Sequence, residues 1–207
     1  MRPKVTVIMP AYNAEDTVEQ AISSIPKRDD IEIIFVNDGS TDKTLERAIK
    51  ALKPYKRKCL VDKYNGGMAS AVNAGLAEAT GEYVVLLDAD DDFYTDKFIE
   101  AMRYLDGTDL VYFDLQINSG AIWHLSPETK EKICGEVKFM RREFIQGIRW
   151  DESMRAAEDY YYYQELLKKN PTETFTDLVV KHYNYPRVGS LSWQLQNGII
   201  KNKKGEA

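Results

Sequence analysis

Tyr83-Val84-Val85-Leu86-Leu87-Asp88-Ala89-Asp90-Asp91-Asp92 passes from a wholly apolar run into four carboxylates within five residues. A short, valine-rich, continuously apolar run suits a strand buried on both faces, as in a parallel sheet. The carboxylates repel one another: at about 5 Å and an effective dielectric near 20, each unscreened pair costs roughly 3 kcal/mol. A positive charge is therefore expected beside them. An all-oxygen, carboxylate-rich set suits Mg2+ or Mn2+, which take one or two carboxylates and complete their shell with substrate phosphates and water. The plainer alternative is a solvated turn in which Asp92 or Asp96 caps the next helix.

Upstream, Val5 to Met9, Ile31 to Val36 and Lys58 to Val61 read as further strands. Helical spacing separates them. Val18, Ala21, Ile22 and Ile25 recur at i, i+3, i+4 and i+7, and Leu45, Ala48, Ile49 and Leu52 repeat that spacing after Ser40-Thr41-Asp42, a capping stretch. A third helix is expected over Ala69 to Ala79, ended at Thr80-Gly81 by a left-handed glycine. Strand and helix in strict alternation imply right-handed crossovers and an α/β domain, a mostly parallel central sheet with helices on both faces. Ligands bind such sheets beyond the carboxyl ends of the strands. The loops to search are Pro10 to Asn13, Asn37 to Thr41 and Asp88 to Asp92.

Beyond residue 105 the pattern loosens. Leu110 to Phe113 and Ala121 to Trp123 look like strands, and Glu158 to Lys169 is a helix stopped by Asn170-Pro171, with two lysines in its last turn. No repeat or linker divides the chain. Residues 1–196 are expected to form one domain, with 197–207 a tail.

Composition narrows the function. The chain has 207 residues, 43% hydrophobic and 29% charged, as an ordinary globular domain does. With 28 Lys+Arg against 33 Asp+Glu the net charge is −5, which disfavours a nucleic-acid partner, because binding phosphate backbones needs surplus cations. Cys59 and Cys134 make neither a metal cluster nor a disulfide scaffold. No segment approaches the roughly 18 apolar residues of a membrane span, so a cytoplasmic location is expected. Lys201, Lys203 and Lys204 in the tail leave a peripheral membrane contact open.

Three more stretches carry candidate chemistry. In Asn37-Asp38-Gly39-Ser40-Thr41-Asp42, Asp38 can accept hydrogen bonds from a nucleobase or ribose, though Asp-Gly-Ser-Thr alone is ordinary turn chemistry. Asn65-Gly66-Gly67 precedes a helix, where glycines permit close approach and the helix start favours a diphosphate. Glu158-Asp159 opens the tyrosine-rich helix. A carboxylate there is commonly a dipole partner, yet a general base must be a carboxylate or histidine, and His124 and His182 lie in no evident motif.

Taken together, Val5 to Asn13, Asn37 to Asp42, Asn65-Gly66-Gly67 with Asn73, and Leu87 to Asp91 resemble, in order and spacing, the family 2 glycosyltransferases of the GT-A fold, a Rossmann-type sandwich. The resemblance covers residues 4–98 and resumes from Trp150-Asp151-Glu152 to Glu158-Asp159, then near Tyr185 to Ser192. It implies that Pro10, Ala11, Tyr12, Asp38, Gly67, Asp88 and Ala89 line a nucleotide site. Asp88 and Asp90 would be the Asp-x-Asp motif, with Asp90 and Asp91 on Mn2+ or Mg2+. Asp159, beside Glu158, would be the general base, and Arg187 and Ser190 would sit on a flap near phosphates or acceptor. The family often has Arg where Val72 stands and Pro where Thr95 stands.

The implied activity is inverting, metal-dependent transfer of a hexosyl or N-acetylhexosaminyl group from a nucleotide-sugar, a UDP-sugar first. The acceptor would be a glycan, a lipid-linked glycan or a protein. Trp123, Trp150, Trp193 and the tyrosines Tyr160 to Tyr163 are candidates for stacking on sugars, and equally for core. Two alternatives stand beside it: a nucleotidyltransferase, which would want a basic loop where Pro10 to Glu15 has none, and a non-catalytic nucleotide-sugar-binding module.

Overall fold

The computed structural model describes residues 3–130, 135, 137–154 and 156–185. Its core is a nine-stranded sheet. The amino-terminal half supplies β1 (Val5–Ala11), α1 (Val18–Ser24), β2 (Ile31–Asp38), α2 (Thr44–Ala51), β3 (Lys58–Lys63), α3 (Met68–Glu78) and β4 (Tyr83–Leu86). After β5 (Asp92–Phe93) and α4 (Thr95–Ala101) come β6 (Leu110–Ile117), β7 (Ile122–Trp123), β8 (Lys138–Arg141), α5 (Glu158–Leu167) and β9 (Glu173–Tyr183). The strands run in the order β3-β2-β1-β4-β8-β6-β9-β5, with β7 pairing to β6. The long ladders β1–β2, β2–β3 and β6–β9 are parallel, and the antiparallel pairings through β5, β7 and β8 are short.

Continuous apolar sequence became central strand. β1 and β4 are buried at every position. The order reverses between β1 and β4, so right-handed crossovers put α1 and α2 on one face and α3, which returns across β2 and β1, on the other. A Cβ added at Gly75 of α3 would fall 2.4 Å from Ile8 Cγ2, so this mid-helix glycine serves close helix–sheet packing. Ile8 is the register partner of Leu86, and Leu86 lines a small cavity with Asp159 and Tyr162 of α5. Thus α5 shares the face of α3. Phe98 of α4 packs edge-on against Phe139, whose neighbour Lys138 faces Tyr163 of α5, so α4 lies on the opposite face.

Pro10 marks where the sheet opens. The ladder between β1 and β4 ends with Leu87 N–H donating to Ile8 O, after which β4 gives way to the acidic turn. On that side Pro10 needs no amide hydrogen, so its missing donor costs nothing. The reversal of strand order falls at the same place, which is where open α/β sheets bind ligands.

Some local expectations needed correction. α3 ends at an extended Ala79 (ψ 126°), and Gly81 is not left-handed. Its glycine answers to contact: a Cβ there would sit 2.6 Å from both the amide nitrogen and Oγ1 of Thr6. Ser40 and Thr41 do not cap α2, although Asp42 Oδ1 accepts from the Thr44 amide at its start (2.9 Å). After α5, Asn170 takes the left-handed conformation (φ 50°) and ends the helical turn, and Lys168 and Lys169 lie just past the last helical residue. β5, β8 and β9 were not anticipated. Among the described residues, no helix is long and apolar enough to cross a membrane and Cys59 is a free thiol. Cys134, Trp193 and the tail lysines lie outside the described residues.

Candidate active site

The loops after β1 and β2 are laced into one rim. Asn13, itself left-handed (φ 48°), takes a hydrogen bond from the Thr41 amide at 2.9 Å and donates its own amide to Ser40 Oγ at 3.1 Å. The Ala14 amide donates to Thr44 Oγ1 (2.7 Å) and the Glu15 amide to Asp42 Oδ2 (3.1 Å). Burial would raise the Asp42 carboxyl, but the donors from Thr44 and Glu15 hold it below the usual carboxylate range. Pro10 and Ala11 are buried in the strand end, while Tyr12 is 53% exposed and stands over the rim.

Asp38 closes β2 and is 3% exposed. Its Oδ1 accepts from Lys63 Nζ (2.6 Å) and the Gly66 amide (3.0 Å), and Oδ2 from the Gly67 amide (2.8 Å). The Asn65 side chain donates to the Asp38 carbonyl as well (2.9 Å). The amides expected to face a diphosphate therefore face Asp38, and that carboxylate organises the 63–67 loop. Gly39 is dictated twice over, by φ +72° and by an added Cβ that would meet Asn65 N at 2.6 Å. Gly67 needs its glycine for backbone shape alone (φ 85°, ψ 173°), and the space beside it is open.

The acidic run is a turn closed by the Asp91 amide donating to Asp88 O at 3.1 Å. Asp88 and Asp90 are half-buried and Ala89 is buried. Asp91 turns inward, 1% exposed: its Oδ2 lies 2.8 Å from Lys181 Nζ and its Oδ1 accepts from the Asn184 amide (2.9 Å). Burial pushes the Asp91 carboxyl up, and Lys181 pulls the other way. Asp92 accepts from Gln20 Nε2 at 2.6 Å, with His182 Nδ1 3.7 Å away. The expected positive partner is thus partly the protein's own. β9 brings Lys181 and His182 alongside β5, so Asp91, expected on a metal, is ion-paired with Lys181 inside the fold.

Among the described residues no three His, Cys, Asp or Glu side chains converge as a metal cluster. Two half-buried carboxylates on one turn, Asp88 and Asp90, remain as an oxygen set that suits a hard cation sharing its shell with a diphosphate.

Asn73 joins the third motif to the fourth. Buried in α3, it accepts from the Trp150 amide (3.0 Å) and donates to the Trp150 carbonyl and to Glu152 Oε1 (2.9 Å each). The chain then enters α5 through Ala157, held left-handed at φ 59°. Such a conformation costs a non-glycine residue about 1–2 kcal/mol and fixes where the next two side chains go. Glu158 is 7% exposed and turns inward. Asp159 lines a cavity of about 10 Å3 with Leu86, Gly135, Lys138, Met140, Trp150 and Tyr162. Trp150 and Tyr162 stack at 5.1 Å, and burial pushes the Tyr162 hydroxyl well above its usual range.

Leu86 is two residues before Asp88, so the carboxyl end of β4 carries the acidic turn and faces the start of α5. Arg187 and Ser190 lie outside the described residues. Sequence reading missed Lys63 and Lys181, the cations that engage Asp38 and Asp91, and the pair Asp114–His124. Lys63 ends a strand beside the motif-bearing β2, which was a usable signal. Lys181 had none, because β9 was not recognised.

A doubly wound sheet, opened beside β1 with an acidic turn at the end of β4, places the chain among the α/β proteins whose ligand crevice lies at the strand ends. The chain is a member of glycosyl transferase family 2, whose model matches residues 6–175. It is 29% identical over 211 residues to an uncharacterized glycosyltransferase of Haemophilus influenzae, covering 87% of this chain and 65% of that protein. It is 41% identical over 188 residues to the uncharacterized glycosyltransferase EpsJ of Bacillus subtilis, covering 77% of this chain and 54% of EpsJ. The chain thus spans just under two thirds of the first relative and about half of the second. S. aureus TarS 1-349 in complex with UDP-GlcNAc has the same fold, with a TM-score of 0.80 and 22% identity over 90% of this chain and 60% of that one. So does the mannosyltransferase PcManGT from Pyrobaculum calidifontis in complex with GDP-Man and Mn2+, with a TM-score of 0.73 and 24% identity over 95% of this chain and 61% of that one.

Proposed function

We propose that this chain transfers a hexosyl or N-acetylhexosaminyl group from a nucleoside-diphospho-sugar, a UDP-sugar first, to an acceptor hydroxyl with inversion. Residues 1–98 hold the donor, and 99–196 present the base and the acceptor. The observation that carries this reading is that Asp159 and Leu86 line one cavity, which sets a helix-borne carboxylate beside the strand that ends in the acidic turn.

Tyr12 offers its ring to the nucleobase, against the floor of Pro10 and Ala11. Asp38 acts here through the 63–67 loop it holds. Asp159 takes the proton of the acceptor hydroxyl as that oxygen bonds to the anomeric carbon and the sugar–diphosphate bond breaks, its electron pair leaving with the nucleoside diphosphate. Glu158 is buried behind it, where it supports the turn into α5. A bound Mg2+ or Mn2+, held by Asp90 and Asp88, would supply Lewis-acid stabilisation of the departing diphosphate. Asp91 stays with Lys181 and contributes the shape of the turn.

Asp159→Asn tests the base. Transfer should fall by about 10^2-fold or more while UDP affinity stays within about twofold, and full transfer in that variant would refute the assignment. Calorimetry of UDP with Asp90→Ala tests the cation. Mg2+-dependent affinity should disappear, and an unchanged isotherm would refute the metal role.

A further inference from the structure

Asp114 and His124 form a pair outside every motif in the sequence. Asp114, on β6, is 1% exposed. Its Oδ2 lies 2.6 Å from His124 Nδ1, and its Oδ1 accepts from the Leu125 amide at 2.8 Å. A carboxylate oxygen can only accept, so Nδ1 carries a proton, and Nε2 is the ring nitrogen left for a further partner. The imidazole side chain is 71% exposed. A buried acid thus fixes the tautomer and plane of a ring whose other nitrogen meets solvent, a costly arrangement for a residue with no further task.

Register places this pair at the site. β9 follows one edge of β6 throughout, so β8, opposite Leu110 to Tyr112, and β7, opposite Leu115 and Gln116, share the other edge, the one toward β4. Continuing the β6–β7 pairing by one residue sets His124 opposite Asp114, in the slot between β6 and the line of β4. Val84 pairs Met140, and Met140 pairs Leu110, so β8 lies between β4 and β6 at that level. Asp114, two residues on from Tyr112, belongs to the face of the sheet that carries Leu86, Lys138 and Tyr112, against which α5 and Asp159 pack.

We propose that His124, oriented by Asp114, is an acceptor-binding residue, its Nε2 hydrogen-bonded to a hydroxyl of a sugar acceptor. This rests on the glycosyltransferase reading above. A hydroxyl-rich acceptor suits an exposed imidazole held in plane by a buried carboxylate, since a hydroxyl can both donate and accept.

The chain has two histidines, so imidazole 1H–15N spectra resolve His124 directly, assigned by its loss in His124→Phe. With UDP and Mg2+ bound, p-nitrophenyl β-glycosides of glucose, galactose and N-acetylglucosamine are titrated in. At least one should shift the His124 Nε2 signal, and Asp114→Asn should erase the fixed Nδ1–H tautomer. In transfer assays with UDP-GlcNAc and GDP-mannose, His124→Phe should raise the glycoside KM about tenfold with a smaller change in kcat, and His124→Gln should recover part of it. No shift with any glycoside, or a KM within twofold of wild type in the Phe variant, overturns the inference. Absence of both hydrolysis and transfer of either donor by the wild-type chain overturns the glycosyltransferase reading, and this inference with it.

Discussion

Lys181 Nζ lies 2.8 Å from Asp91 Oδ2, and both side chains are almost wholly buried, at 3% and 1% exposure. The acidic turn is therefore built around an internal ion pair, with the Asn184 amide on the second carboxylate oxygen. Removing one partner leaves an uncompensated buried charge, which costs about 3–5 kcal/mol. Lys181→Met should lower stability by that amount in urea denaturation, and Lys181→Met with Asp91→Asn by clearly less than the two single losses summed. Additive losses would mean that the pair carries no coupling.

Gly39 is held at φ +72° with Asn65 N 2.6 Å from where a Cβ would stand. Left-handed strain and the backbone contact together should make Gly39→Ala cost about 2–3 kcal/mol. Because Gly39 follows Asp38, the variant should also loosen the 63–67 loop, read as faster amide exchange at Gly66 and Gly67.

Ala157, at φ 59° before Glu158-Asp159, predicts the opposite sign. Ala157→Gly relieves left-handed strain of about 1–2 kcal/mol and gives back part of it as chain entropy, so stability should rise by about 0.5–1 kcal/mol. If the strain also aims Asp159, transfer falls while stability rises, a combination that one denaturation curve and one rate measurement detect.

Asp109 ties three strands. It accepts from Arg141 Nε (3.0 Å) at the end of β8 and from the Thr172 amide (2.9 Å) and hydroxyl (2.8 Å) just before β9. Burial acts to raise its carboxyl, but the Thr172 amide and the Arg141 guanidinium outweigh it and hold the group below the usual range. A carboxyl lower in the folded than in the unfolded chain stabilises the fold above its unfolded value, about 3.9, and that contribution is lost as pH falls through the folded value. Asp109→Asn should cost about 1.5–3 kcal/mol at pH 7, with the gap from wild type narrowing progressively below about pH 4.

By itself the sequence determined the doubly wound half and the family. Strands buried on both faces must be continuously apolar and their helices must repeat at 3.6 residues, so β1, β2, β4 and α1 to α3 are written locally, as is the acidic turn at the end of β4. Asp38 was legible as a candidate from its place at the end of a buried strand. Its engagement with Lys63, Gly66 and Gly67 was not, because those partners stand 25 to 29 residues away in sequence. β9 escaped notice because it is half-buried and shifts register twice against β6, which leaves no clean period of two. With it went Lys181 and the reason Asp91 faces inward. His124 looked motifless for a related cause, since its partner Asp114 becomes its neighbour only when β7 folds back on β6. Only the tertiary structure decided which carboxylates carry internal charge and which stand at the crevice. Local sequence specifies periodicity and turn shape, whereas the solvation and pairing of a charge depend on distant chain brought within a few ångströms.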